Sequence, residues 1–150
     1  MSADRIYCTV PLDREYTDRF LETTSRAATK DNRLSVLHAA FDAVIQGNYE
    51  AFGERVTDDV ELSIIGFGVL DGSWRGRDEV IAATRRNFAQ LGEQKPEIES
   101  MISEGDSIVV LLREKGILQS NRQPYSIRGV QWFTFVEDKI KKIDEIVASV

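Results

Sequence analysis

Two acids and one histidine are the residues of this chain best suited to moving protons. In "KIKKIDEIVASV", Glu145 shares strand parity with the apolar Ile143 and Val147. Side chains alternate across a strand, so a carboxylate on that parity is aimed at what should be core. It either lines a pocket and does acid–base work or stands in solvent beside Lys142 or Arg113. Glu114 lies in "SIVVLLREKGIL", where Val110, Leu112, Glu114 and Gly116 form one parity class and Leu111, Arg113 and Lys115 the other. Both classes mix apolar and charged residues. Glu114 is therefore a pocket acid or a surface acid beside Arg113 and Lys115. His38, the only histidine, falls on the apolar stripe of a helix. Its unperturbed pKa near neutrality suits a catalytic acid or base; the alternative is a core histidine bonded to backbone. Trp74, in "GFGVLDGSWRG", offers a flat rigid ring for an apolar ligand or simply anchors its loop.

Other chemistries find little support. The chain has 150 residues, 42% hydrophobic and 29% charged, with a net charge of −6. That size suits one domain with one core. The acidic balance argues against a nucleic-acid partner, because phosphate binding needs a basic patch. Cys8 is the only cysteine, so no intrachain disulfide and no Cys/His zinc site is expected. "GFGVLDG" is not a phosphate loop, since no Lys-Ser/Thr follows it. There is no Gly-x-Ser-x-Gly elbow and no His-Glu-x-x-His. No metal or cofactor is implied. Without a long apolar run or a signal-peptide pattern, no membrane association is expected and the location predicted is cytoplasmic.

The elements that must position these residues read as helices first and strands later. Residues 1–32 form an N-terminal arm and helix, with the arm over 1–11 and the helix, carrying Tyr16, Phe20 and Leu21, over 12–29. Residues 33–150 form the main domain. Asp31 or Asn32 caps a helix whose apolar stripe is Leu34, Leu37, His38, Phe41, Val44 and Ile45, and Gly47 ends it. Asn48 caps a short helix with Tyr49 and Phe52. "VTDDVELSII" is a strand, followed by the glycine-rich connection. Asp78 to Leu91 is a helix facing inward through Val80, Ile81, Thr84 and Phe88. Strands follow at about 96–104, 107–118, 125–136 and 139–148, with "EGD" and "EDK" as turns. The fold class is α+β, a curved antiparallel sheet wrapped over helices.

Three stretches carry a resemblance. "FDAVIQGNYEAFGERVTDDVELSI", "WRGRDEV" and "GVQWFTFVEDKIKKIDEI" occur in the order and spacing of nuclear-transport-factor-2-like domains. The nearest branch is the SnoaL-like polyketide cyclase group, with limonene epoxide hydrolase and ketosteroid isomerase as relatives. The resemblance covers roughly residues 33–148 and implies a cone with a pocket between sheet and helices. Its motif turns Phe133 and Phe135 toward the helices, and by parity Tyr125, Ile127, Gly129 and Gln131 with them. Arg128, Val130, Trp132 and Thr134 then face outward. In this superfamily that outer face commonly forms a dimer, so a homodimer through Trp132, Val130 and Arg128 is expected. The alternative is a Trp132 covered by the N-terminal arm.

The resemblance to limonene epoxide hydrolase puts Glu145 at its water-activating aspartate and Glu114 at its acid-donating aspartate. The arginine held between those two corresponds to Leu112. Without that cation, two carboxylates in one apolar pocket repel, and one keeps its proton. A bulge could bring in Arg113 instead. The ketosteroid isomerase machinery is missing, because its oxyanion-holding acid corresponds to Gln131, its tyrosine to Ala40 and its base to Leu62 or Ser63. Gln131 can still bond a ligand carbonyl. The expected site is thus Glu145, Glu114 and His38 for catalysis, with Gln131, Tyr125, Trp74, Phe88, Phe133 and Leu62 holding an apolar small molecule. Three functions remain open: acid–base isomerase, cyclase or hydrolase on an apolar carbonyl or epoxide; a non-catalytic binder of an apolar ligand; or a protein-interaction and assembly domain.

Overall fold

A computed structural model describes the backbone of residues 5–7 and residues 32–150 in full. The elements run β1 (Arg5–Tyr7), α1 (Arg33–Ile45), α2 (Tyr49–Gly53), β2 (Val56–Ile65), β3 (Gly72–Arg75), α3 (Arg77–Ala89), β4 (Leu91–Glu104), β5 (Ser107–Leu118), β6 (Pro124–Val136) and β7 (Lys139–Ser149). The expected helix over 12–29 lies outside the described residues. The strands form one open sheet in the order β1-β4-β5-β6-β7-β2-β3. Helices α1, α2 and α3 cover one face of it, giving the α+β architecture expected.

Three expectations need correction. The sheet is mixed, because β2 pairs with β7 in parallel, Leu62 opposite Ile143 and Ile64 opposite Glu145. No hairpin joins those two strands, so nothing in the local sequence sets their direction. The glycine-rich connection contains β3, which pairs with β2 through Leu62 opposite Trp74. Strand β4 begins at Leu91 rather than near 96, directly after the C-cap of α3 at Gln90.

Curvature comes from irregular register. Extra residues enter β4 between Gly92 and Lys95 and again between Ile98 and Ser100, opposite β5. Another shift separates Thr134 from Phe135 at the β6–β7 pair. Bulges of this kind bend the strand and increase its twist. The concave face collects Val60, Leu62 and Ile64 of β2, Ile108, Val110 and Leu112 of β5, Phe133 and Phe135 of β6, and Ile140 and Ile143 of β7, all buried. Against them pack Leu37 and Ala40 of α1, Phe52 of α2, and Val80 and Ala83 of α3. Phe41 meets Phe133 edge-on, with ring centroids 5.6 Å apart.

The local signals mostly behaved as read. Asn48 caps α2, its Oδ1 accepting from the Ala51 N–H at 3.1 Å. Gly47, at φ +71°, ends α1 in a conformation that glycine adopts without strain. Asn32 instead has helical dihedrals and makes no side-chain capping bond. The Asn48 cap is testable: Asn48→Ala should cost about 1 kcal/mol. For a chain of this size that is a fall of about 2–4 °C in melting temperature, read by calorimetry.

The convex face carries the residues expected there. Trp132 is 47% exposed and Ile146 is 51% exposed. Glu99 takes an ion pair from Arg128, at 2.8 Å, and another from Arg113. The side chains of the N-terminal arm, residues 1–11, lie outside the described residues, and with them the alternative that the arm covers Trp132. Among the described residues, no helix is long and apolar enough to cross a membrane.

Candidate functional site

Between the helices and the concave face lies a cavity of about 140 Å³. Its walls are mostly apolar, including Phe41, Phe52, Phe67, Phe88 and Phe133. Six polar residues interrupt that lining: Thr84, Asn87, Gln94, Glu114, Gln131 and Glu145. None of the lining residues is Lys, Arg or His.

Both acids turn inward. Strand β7 buries Ile143 and Val147, and Glu145 between them faces the cavity. Lys142, a solvent-side partner considered for it, pairs with Asp144 at 3.3 Å instead. In β5, Ile108, Val110 and Leu112 are buried, so Glu114 follows them inward and Arg113 and Lys115 point out. The β5–β6 register is regular throughout. No bulge turns Arg113 into the pocket, and its guanidinium is held by Glu99 on the convex face.

The acids differ in their donors. Glu114 Oε1 accepts from the Tyr125 hydroxyl at 2.5 Å and from Gln94 Nε2 at 3.3 Å. Glu145 Oε2 accepts from Gln131 Nε2 at 3.0 Å, across the Gln131–Glu145 register pair. Gly116 makes the Tyr125 contact possible. It stands opposite Tyr125, and a Cβ there would lie 2.7 Å from the tyrosine hydroxyl.

Burial pushes the Glu114 carboxyl above the usual range, while its bonds from Tyr125 and Gln94 oppose the rise. Burial also raises Glu145; the Gln131 bond opposes this, and the Glu114 charge raises it further. Donors aimed at a carboxylate favour its charged form. Glu114 has two such donors and Glu145 one. The charge of either acid opposes ionisation of the other, so the two titrate as a pair. Tyr125 is raised as well, by burial and then by its bond to Glu114, so it stays a donor.

The structure brings Glu145, Glu114, Gln131, Phe88, Phe133 and Leu62 together around one cavity. Tyr125 acts at one remove, through Glu114, and its ring packs on Phe67 at 5.2 Å. Two expected residues are elsewhere. His38 is buried in α1 but does not line the cavity, because the helix stripe is wider than the part that faces it. Trp74 is anchored on the edge strand β3, with Arg86 over its ring at 5.4 Å, and is not in the lining.

Two polar lining residues, Gln94 and Asn87, are missing from the sequence reading, which places Thr84 on the inward face of its helix but not in the site. Gln94 follows a bulge, where alternation fails. Thr84 and Asn87 lie on the buried face of α3. Asn87 is seven residues after Val80, two helical turns along the same stripe, which is the signal that could have found it. Thr84 donates its hydroxyl to the Val80 carbonyl at 2.8 Å.

A bent open sheet around a helix-covered cavity defines the nuclear-transport-factor-2-like cone. The chain belongs to the SnoaL-like domain family, whose model matches residues 37–143. No curated protein matches the sequence. Among solved structures, a nuclear-transport-factor-2-like protein from Burkholderia xenovorans aligns with a TM-score of 0.67 and 20% identity, over 77% of this chain and 88% of that one. A protein from Jannaschia sp. described as a SnoaL-like polyketide cyclase gives 0.66 and 16%, over 79% and 85%. An epoxide hydrolase from M. tuberculosis that resembles limonene epoxide hydrolase gives 0.62 and 14%, over 77% and 82%. These likenesses establish the fold; chemistry has to be argued from the site.

Proposed function

We propose that this protein is a small acid–base enzyme acting on a compact, apolar carbonyl or epoxide compound. The observation that supports it most is the facing of two carboxyl groups into an apolar cavity with no cation in its lining. Such a pair holds one proton over a pH range where free carboxyls would both be charged. Glu114, with two donors, is the carboxylate and base. Glu145 keeps the proton and is the acid. These roles are opposite to those that the resemblance to limonene epoxide hydrolase implies.

On an enolisable ketone, Glu114 would take the proton from the α-carbon. The electron pair of that C–H bond would form the enol double bond as Glu145 protonates the oxygen. If the ketone is β,γ-unsaturated, the enol is a dienol: Glu114 returns its proton to the γ-carbon, Glu145 takes back the hydroxyl proton as the carbonyl re-forms, and the double bond has moved into conjugation. On an epoxide, Glu145 would protonate the departing oxygen while Glu114 activates a water. The size of the cavity limits the substrate. An apolar protein cavity of about 150 Å³ holds a benzene-sized ligand, so a multi-ring polyketide is too large for this one.

Carboxyl titration by NMR, with Glu114→Gln and Glu145→Gln for assignment, comes first. Two raised and mutually dependent titrations are expected, followed by turnover of small ketones or epoxides that either substitution reduces by about 10²–10⁴-fold. Ordinary, independent titrations would sink the acid–base reading. A second reading is a binder without chemistry, favoured by Leu112 where the hydrolase resemblance has an arginine. Raised titrations with tight binding and no turnover would select it. We also propose a cytoplasmic homodimer formed by the convex face, where Trp132 and Ile146 are exposed. Light scattering should give the dimer mass, and Trp132→Glu should halve it.

A further inference from the structure

Asn87 is a buried polar residue of the cavity wall that the acid–base account leaves unused. It lies on α3, the helical wall, whereas Glu114, Gln131 and Glu145 come from the sheet. The residue is only 5% exposed and lines the cavity. The Nδ2 donor finds no acceptor among the described residues. Native proteins seldom leave a buried donor unmatched, because its lost hydration is then uncompensated. Thr84, one turn earlier on the same face, does not satisfy it: its hydroxyl is committed to Val80. The rest of the wall near α3 is apolar, with Phe88 and Leu91.

We propose that Asn87 is a ligand-binding residue that donates from Nδ2 to an acceptor oxygen of the ligand, and that the natural ligand therefore carries a carbonyl or epoxide oxygen and is not a plain hydrocarbon. This rests on reading the cavity as a small-molecule site. The amide fixes the oxygen end of the ligand at the helical wall. The carbon skeleton fills the apolar middle and presents its reactive C–H to Glu114, while Glu145 meets the same oxygen from the sheet side. A neutral donor suits that task, since it holds a carbonyl oxygen and strengthens its bond as negative charge develops there. An ammonium group offers this donor no acceptor, and only the acids of the sheet could hold it.

The test uses cyclohexanone and methylcyclohexane, which have the same number of heavy atoms and differ in one acceptor. Each is titrated into the ¹⁵N-labelled full chain, wild type and Asn87→Leu, with Asn87→Ala as a second variant. Cyclohexanone should shift the Asn87 side-chain amide resonances, and methylcyclohexane should not. Replacing Asn87 should weaken cyclohexanone at least tenfold and leave methylcyclohexane unchanged or tighter, which isolates the pairwise coupling. If the wild-type amide stays silent while both probes bind, the inference fails and the cavity reading stands. The same holds if both variants weaken the two probes equally. If neither probe binds, the small-molecule reading fails and takes the inference with it. The wild-type spectrum decides the matter even if both variants fail to fold.

Discussion

Glu145→Gln should raise the melting temperature in neutral and alkaline buffer and leave it nearly unchanged near pH 4. The folded protein holds the Glu145 carboxyl above its ordinary range, first because it is buried and then because Glu114 repels its charge. A group whose folded pKa is raised contributes stability that is fully present below the unfolded value of about 4.3, and loses it as pH climbs through the folded value. The wild type therefore weakens as Glu145 is forced to ionise inside the cavity. Glutamine imitates the protonated acid and has nothing to lose. Its carbonyl can still accept from Gln131 Nε2, the bond Glu145 makes at 3.0 Å. A gain of at least about 1 kcal/mol at pH 8 is expected, or about 2–4 °C for a chain of this length. The control is Glu114→Gln, which should bring the Glu145 titration back down by removing the repelling charge. Melting curves that differ by a constant amount from pH 4 to pH 8 would mean that Glu145 is solvated.

How much of this was legible beforehand depended on whether alternation held. From Ile127 to Phe135 in β6 and from Ile143 to Val147 in β7 the buried residues keep one parity, so the inward facing of Gln131 and Glu145 could be read. In β5 it could not, because the outward Arg113 and Lys115 interleave with inward Glu114 among apolar neighbours on both faces. Arg113 makes sense only once Glu99 is seen beside it, and Glu99 comes from β4 at a register shift. Gln94 was hidden in the same way: β4 follows α3 without a loop, and its first bulge breaks the count. The parallel pairing of β2 with β7 leaves no trace in either strand's composition. His38 and Trp74 show the opposite failure. Their chemistry was plain, but side-chain type says nothing about which part of a packed face borders the cavity. Asn87 was the reverse again, a well-placed residue whose modest chemistry drew no notice until its donor was found without an acceptor.

Leu112→Arg should convert the acid pair from repelling to bridged, and reverse the pH dependence of stability. Leu112 is two residues from Glu114 on the inward face of β5 and lies opposite Gly129. It is buried and lines the cavity. A guanidinium from this position enters the cavity that both carboxyls line, and a buried cation seeks them strongly. Both carboxyls should then titrate below the ordinary range instead of above it. Their contribution to stability would be present above the unfolded value of about 4.3 and lost on acidification, the opposite of the wild type. The longer side chain also occupies space that a ligand of benzene size needs, so cyclohexanone binding should fall by more than tenfold. Leu112→Met separates the two effects, since it changes packing with little change in volume and no charge. It should leave both titrations raised and binding within a fewfold of wild type. A folded Leu112→Arg protein whose carboxyls still titrate high would show that Glu114 and Glu145 do not share one electrostatic site. The assignment of base to one and acid to the other would then lose its physical basis. If the pair does respond together, the missing cation is part of what keeps both acids raised, and the Leu at this position sets the chemistry as much as the two acids do.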